Sequence, residues 1–89
     1  MDAVRHKTAE HGARWARLQA LGYKSERDSI RGPRGGERKR YKRVSLRGRI
    51  VVETDKGGWE DLRMAERHAK LPPITELEIR REARRLGYS

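Results

Sequence analysis

The stretch Arg38-Lys39-Arg40-Tyr41-Lys42-Arg43-Val44-Ser45-Leu46-Arg47-Gly48-Arg49-Ile50-Val51-Val52 decides the reading of this chain, because two patterns overlap in it. Its first part places five cations around one tyrosine. Its second part alternates: Val44, Leu46, Gly48, Ile50 and Val52 interleave with Arg43, Ser45, Arg47, Arg49 and Val51. That is the period of a strand buried on one face and basic on the other. Arg47-Gly48 in the middle fits a two-residue hairpin turn or a bulge, so the segment reads as a β-hairpin, with one long strand as the other solution.

Upstream of it, residues 24–37 hold Gly32, Pro33, Gly35 and Gly36 among charges, with Ile30 as the only large aliphatic residue. Burial there cannot offset the entropy of ordering, so a flexible basic loop is expected, an arm that orders on meeting a partner. Further back, residues 2–21 read as a helix capped by Asp2, with Val4, His11, Trp15 and Leu18 recurring on one face. The alanines at 9, 13, 16 and 20 favour the helix. Leu21-Gly22-Tyr23 closes it with a left-handed glycine stop, and the same three residues recur at 86–88.

Downstream, Asp55-Lys56-Gly57-Gly58 signals a turn, and Trp59, Leu62, Met64, Ala65 and Ala69 fit a helix over 60–70 that Pro72-Pro73 stops. The last helix has a capping box, Thr75 with Glu78, and a staple of Ile74 against Ile79. Ile79, Ala83 and Leu86 form its expected buried stripe, while the late arginines Arg80, Arg81, Arg84 and Arg85 complement the helix dipole. Trp15 and Trp59 are expected in the core, against each other. The fold expected is therefore α+β: a small single domain over 1–89, with an N-terminal helix, a basic Gly-rich loop, a β-hairpin (or one long strand) and two C-terminal helices. All three helices are expected to cover the apolar face of the β element.

With 89 residues, the chain is too short for a multidomain enzyme with a cleft between lobes. Leu, Ile and Val total fifteen and Phe is absent, so the core must be small and a homodimer stays open. The lack of cysteine removes disulfides, thiol nucleophiles and Cys-ligated zinc. No apolar run suggests a signal peptide or a membrane span, which places the expected setting in the cytoplasm, with no membrane partner.

Lys and Arg number 23 against 13 Asp and Glu, a net charge of +10. The excess is concentrated: residues 24–49 carry eleven cations and three acids, whereas residues 50–89 carry eight of each. A block of one sign costs self-repulsion unless counter-charge arrives, which points to a polyanionic partner. The expected function is a non-enzymatic, nucleic-acid-binding protein, with DNA slightly favoured over RNA. Contacts to phosphate would come from Arg38, Lys39, Arg40, Lys42, Arg43, Arg47 and Arg49, joined by Arg27, Arg31 and Arg34 from the arm. Tyr41 would stack on a base. In one extended strand Lys39, Tyr41, Arg43, Arg47 and Arg49 share a side. The alternative, from another class, is a protein-binding inhibitor or assembly factor docking on an acidic surface of a nucleic-acid enzyme, of the size that suits a phage or plasmid accessory protein.

Other chemistry finds little support. The glycines of 32–36 lack the spacing of a phosphate-binding loop. His6, Glu10, His11 and His68 are the available metal ligands, but His6 and His11 are five apart and do not stack on one helix face, so no metal and no cofactor is expected. A metal-dependent nuclease would draw on Glu53, Asp55 and Lys56, but the spacing fails, because the pattern needs a carboxylate two residues before the lysine and Thr54 occupies that position. Arg43–Arg47 and Thr75–Ala83 resemble the strand and second helix of ribbon-helix-helix DNA-binding dimers over less than half of the chain. The long insertion between Gly48 and Gly58 departs from that pattern, and the family is not assigned.

Overall fold

The computed structural model describes residues 1–31, 37–54 and 58–88, of which 26–31 and 37–42 by their backbone. The chain runs α1 (Ala3–Ala20), β1 (Tyr23–Arg31), β2 (Glu37–Leu46), β3 (Arg49–Thr54), α2 (Trp59–Ala69) and α3 (Glu76–Arg85). The three strands form one antiparallel sheet in the order β1-β2-β3. The architecture is the expected mixed α+β domain, with one more strand than the sequence suggested.

Arg47 and Gly48 both have positive φ, 54° and 80°, and they join β2 to β3 in a two-residue turn. Such a turn matches the right-handed twist of the flanking strands, which settles the alternation as a hairpin. Its consequence is a change of face. Val44 stands opposite Val52, but Ser45 stands opposite Ile50, so Val51 is an extra residue on β3. This bulge turns Val51 and Val52 toward the core and leaves Ile50 half exposed, although the plain alternation placed Ile50 inside.

The segment 24–37, read as a loop, differs in its first part. Tyr23–Arg31 is strand, paired in register from Tyr23 opposite Leu46 to Arg31 opposite Glu37. A ribbon of two strands saturates its inward backbone groups by pairing alone, without the apolar alternation that the sequence reading looked for. Residues 32–36 lie outside the described residues.

Helix α1 starts at Asp2, whose carboxylate accepts the Arg5 N–H at 2.8 Å. Its buried positions are Ala9, Ala13 and Leu18, whereas Val4 is exposed. The alanines are thus contact residues and not only helix formers. Ala9 packs with Ile79 and Ala83 of α3, and the Ile74 side chain supports them. Gly12 lies in the same seam, where an added Cβ would come within 2.5 Å of a Glu82 carboxylate oxygen. Small residues let two helices approach closely, so α3 rests on α1 and does not cover the sheet as expected.

The other side of α1 meets α2 and the sheet. Leu18, Tyr23, Val44, Val52, Leu62 and Ala65 form that core, flanked by Trp15, Leu46, Val51 and Trp59. The two tryptophans do not stack on each other directly: His11 sits between them, its ring 4.7 Å from Trp59 and 6.3 Å from Trp15. Leu86, expected in the buried stripe of α3, is partly exposed, as is Met64 of α2.

The two Leu-Gly-Tyr endings diverge. At α3, Gly87 N–H donates to Arg84 C=O at 3.1 Å and Tyr88 N–H to Ala83 C=O at 2.8 Å, a complete Schellman stop. At α1, Gly22 (φ 99°) donates to Gln19 C=O at 3.0 Å, and Tyr23 continues into β1. The capping box of α3 forms as read, with Glu78 N–H donating to Thr75 Oγ1 at 3.3 Å.

Candidate nucleic-acid interface

The cations expected to bind a partner are distributed by the register of the ribbon. Arg27 stands opposite Lys42, Ile30 opposite Lys39, Ser29 opposite Arg40 and Asp28 opposite Tyr41. Arg31 stands opposite Glu37, which makes Arg38 the additional residue of a second bulge. Lys39, Tyr41 and Arg43 keep alternate positions on β2. Arg47 does not share their strand, because it occupies the turn, and Arg49 returns on β3 opposite Leu46. Both are exposed. Arg34 lies outside the described residues.

Two features of this arrangement set it apart. The first is its reach: β3 ends at Thr54, opposite Lys42, so the pairs from Asp28–Tyr41 to Arg31–Glu37 form a two-stranded ribbon beyond the third strand. The molecule is correspondingly elongated, 47 × 27 × 17 Å. The second is its root. Tyr23 at the start of β1 is buried, and its hydroxyl is hydrogen-bonded to His68 Nδ1 of α2 at 2.8 Å. Among the described side chains of the expected set, Arg43 is engaged within the protein: its Nε lies 3.3 Å from Glu53 across the β2–β3 pair.

Away from the ribbon, arginine serves a different purpose. Glu66 of α2, mostly buried, receives Arg14 through two hydrogen bonds and Arg17 at 3.0 Å. Burial opposes ionisation of this carboxylate, but the hydrogen bonds and charge of Arg14 and Arg17 outweigh it and hold its pKa below the ordinary value. Arg14 also lies over the Trp59 ring, 5.3 Å from its centre, and Arg17 donates to the Pro72 carbonyl at 2.8 Å. Glu82, buried against Gly12, is lowered in the same sense by hydrogen bonds from Arg85 at 2.8 and 2.6 Å.

The histidines are dispersed. His6 donates to Glu76 at 3.1 Å, His68 meets Tyr23, and His11 accepts from the Trp15 indole N–H at 3.3 Å. Burial, and then the charge of Arg14, lower the His11 pKa, so the ring is neutral near pH 7. Among the described residues no group of three or more His, Cys, Asp or Glu comes together as a metal site. Of the nuclease candidates, Glu53 is the partner of Arg43, and Asp55 and Lys56 lie outside the described residues.

The sequence reading passed over Lys24 and the α2 pair Arg63 and Arg67. Lys24 is exposed at the root of the ribbon, opposite Ser45. Arg63 and Arg67 are exposed one helical turn apart, a spacing readable in the sequence as a polar face. Arg43–Arg47, the strand part of the ribbon-helix-helix resemblance, lies at the end of the central strand β2 and its turn, with a neighbour strand on either side. Among the described residues no helix is long and apolar enough to cross a membrane. Comparison with protein-family models, with curated protein sequences and with solved structures finds no match to this chain.

Proposed function

We propose that this protein is a small, non-enzymatic nucleic-acid-binding protein, DNA before RNA, that holds the phosphate backbone through its basic β-ribbon. One observation carries the reading: the segment with eleven cations against three acids is the segment that forms β1, β2 and the turn into β3, ending in two strands alone. Cations in such numbers displace condensed counterions from phosphates, and the released ions drive binding. Arg38, Lys39, Arg40 and Lys42 supply this on β2, with Arg27 and Arg31 on β1 and Arg47 and Arg49 at the turn. Arg43 contributes from its pair with Glu53.

The test is a titration of nuclease-treated protein into labelled double-stranded DNA, single-stranded DNA and double-stranded RNA at two salt concentrations. With about six phosphates neutralised, the logarithm of the association constant falls with the logarithm of salt at a slope of about −5. Arg38→Ala/Lys39→Ala/Arg40→Ala is expected to flatten that slope by about three. Weak binding to all three polymers, unchanged in the triple variant, would overturn the reading in favour of an acidic protein partner.

A further inference from the structure

We infer that the ligand of the ribbon is B-form duplex DNA and that the ribbon enters its major groove. This rests on the nucleic-acid reading above and adds the groove to it. The width of the ribbon points to that groove. Beyond Lys42 the sheet is two strands only, because β3 stops at Thr54. Two strands about 4.8 Å apart make a body that a major groove about 12 Å wide admits, while a minor groove about 6 Å wide does not unless it is forced open. The major groove of A-form RNA is too narrow and deep for such an element.

Length agrees with width. The four register pairs from Asp28–Tyr41 to Arg31–Glu37 extend the ribbon by about 13 Å at about 3.3 Å per residue, more than the groove's depth of about 8.5 Å. The ribbon therefore reaches the groove floor before the third strand meets the phosphates. Arg47 and Arg49, exposed at the opposite end of β2 and β3, lie about 20 Å from Tyr41 at about 3.3 Å per residue and so stay outside the groove. A string of charges without a paired backbone would follow a single strand equally well, so the inference is specific to the ribbon as a solid object.

Two measurements test it. In the first, wild-type protein is titrated into duplex DNA, duplex RNA of the same sequence and single-stranded DNA at one salt concentration. The DNA titration is repeated after saturation with methyl green, which occupies the major groove, or with netropsin, which occupies the minor. The expected result is a preference for duplex DNA of at least about tenfold, lost with methyl green and kept with netropsin. In the second, Ser29→Pro/Ile30→Pro keeps every charge. Inward and outward N–H groups alternate along β1, so one of the two prolines removes a ribbon hydrogen bond. This variant is expected to lose at least about tenfold in duplex affinity while its tryptophan fluorescence and thermal midpoint, which report the helical core, stay in place.

Equal binding to duplex DNA and RNA, displacement by netropsin alone, or wild-type affinity in the proline variant would each overturn the groove assignment. In those cases, binding that stays salt-dependent and is lost in the Arg38/Lys39/Arg40 alanine variant leaves the nucleic-acid reading standing. Absence of binding to any polymer overturns both.

Discussion

The helical half of the molecule and the β1–β2 ribbon are both rich in arginine, and they use it in opposite ways. Residues 50–89 have a carboxylate for every cation, and the helices make such pairs, among themselves and with α1: Glu66 with Arg14 and Arg17, Glu82 with Arg85, Glu76 with His6 and Arg80. Residues 24–49 have eleven cations for three acids, an excess of eight that the segment cannot neutralise by itself. Local imbalance, and not total charge, separates the cations that hold the fold from those that the proposed function assigns to a partner.

Removing one charge from each half should separate the two uses most strongly. Glu66→Ala leaves Arg14 and Arg17 beside the core without their carboxylate, and is expected to cost about 3 kcal/mol. At this chain length the thermal midpoint should drop by more than about 10 °C. Arg40→Ala in the ribbon should stay within about 0.5 kcal/mol of wild type in stability and flatten the salt slope of binding by about one. Equal destabilisation by the two would end the distinction.

A steric version comes next in size. Gly12→Leu forces a side chain into the space held by Glu82 and parts α1 from α3, at an expected cost of about 2 kcal/mol by thermal or urea unfolding. Binding below the new midpoint should be unchanged, because the ribbon takes no support from that seam.

Acid separates the halves through titration. The folded pKa of His11 lies below its ordinary 6.5, so the unfolded chain takes up the proton first, and stability declines as pH falls from about 6.5 toward the folded value. Glu66 and Glu82 are lowered from 4.5, so their contribution is present above that value and is lost as pH falls beneath it. Thermal midpoints against pH should therefore show two declines, and His11→Phe should remove the upper one.

The smallest effects concern two left-handed residues. Lys70 (φ 56°) ends α2 and Arg47 (φ 54°) opens the hairpin turn. Lys70→Gly and Arg47→Asn are each expected to gain about 0.5 kcal/mol in chemical denaturation by relieving a conformation that side chains with a Cβ resist. Only Arg47→Asn should also change the salt slope of binding.

The parts legible in the sequence are those where a local rule operates alone. The Thr75–Glu78 box, the Asp2 cap and the Arg47-Gly48 turn need no knowledge of distant residues. The failures involve a competitor that local rules do not see. Val4 lost its place to Ala9 and Ala13 because a close helix contact selects small residues. Ile50 turned outward because one added residue, Val51, resets the face of β3. Strand β1 escaped notice because it is held by pairing and carries no apolar stripe. For the site, the cations were visible from composition, but their positions depend on register. That Arg38 is a bulge and Arg43 the partner of Glu53 follows only from which residue stands opposite which.

The Tyr23–His68 contact has a mechanical side. The ribbon begins at a residue that is 5 % exposed and tied to α2, and its second strand re-enters the core at Val44, which is fully buried. Swinging the ribbon about its base would require Tyr23 to leave His68 and Val44 to leave Val52. A load applied along the ribbon is therefore carried into Leu18, Leu62 and the helices.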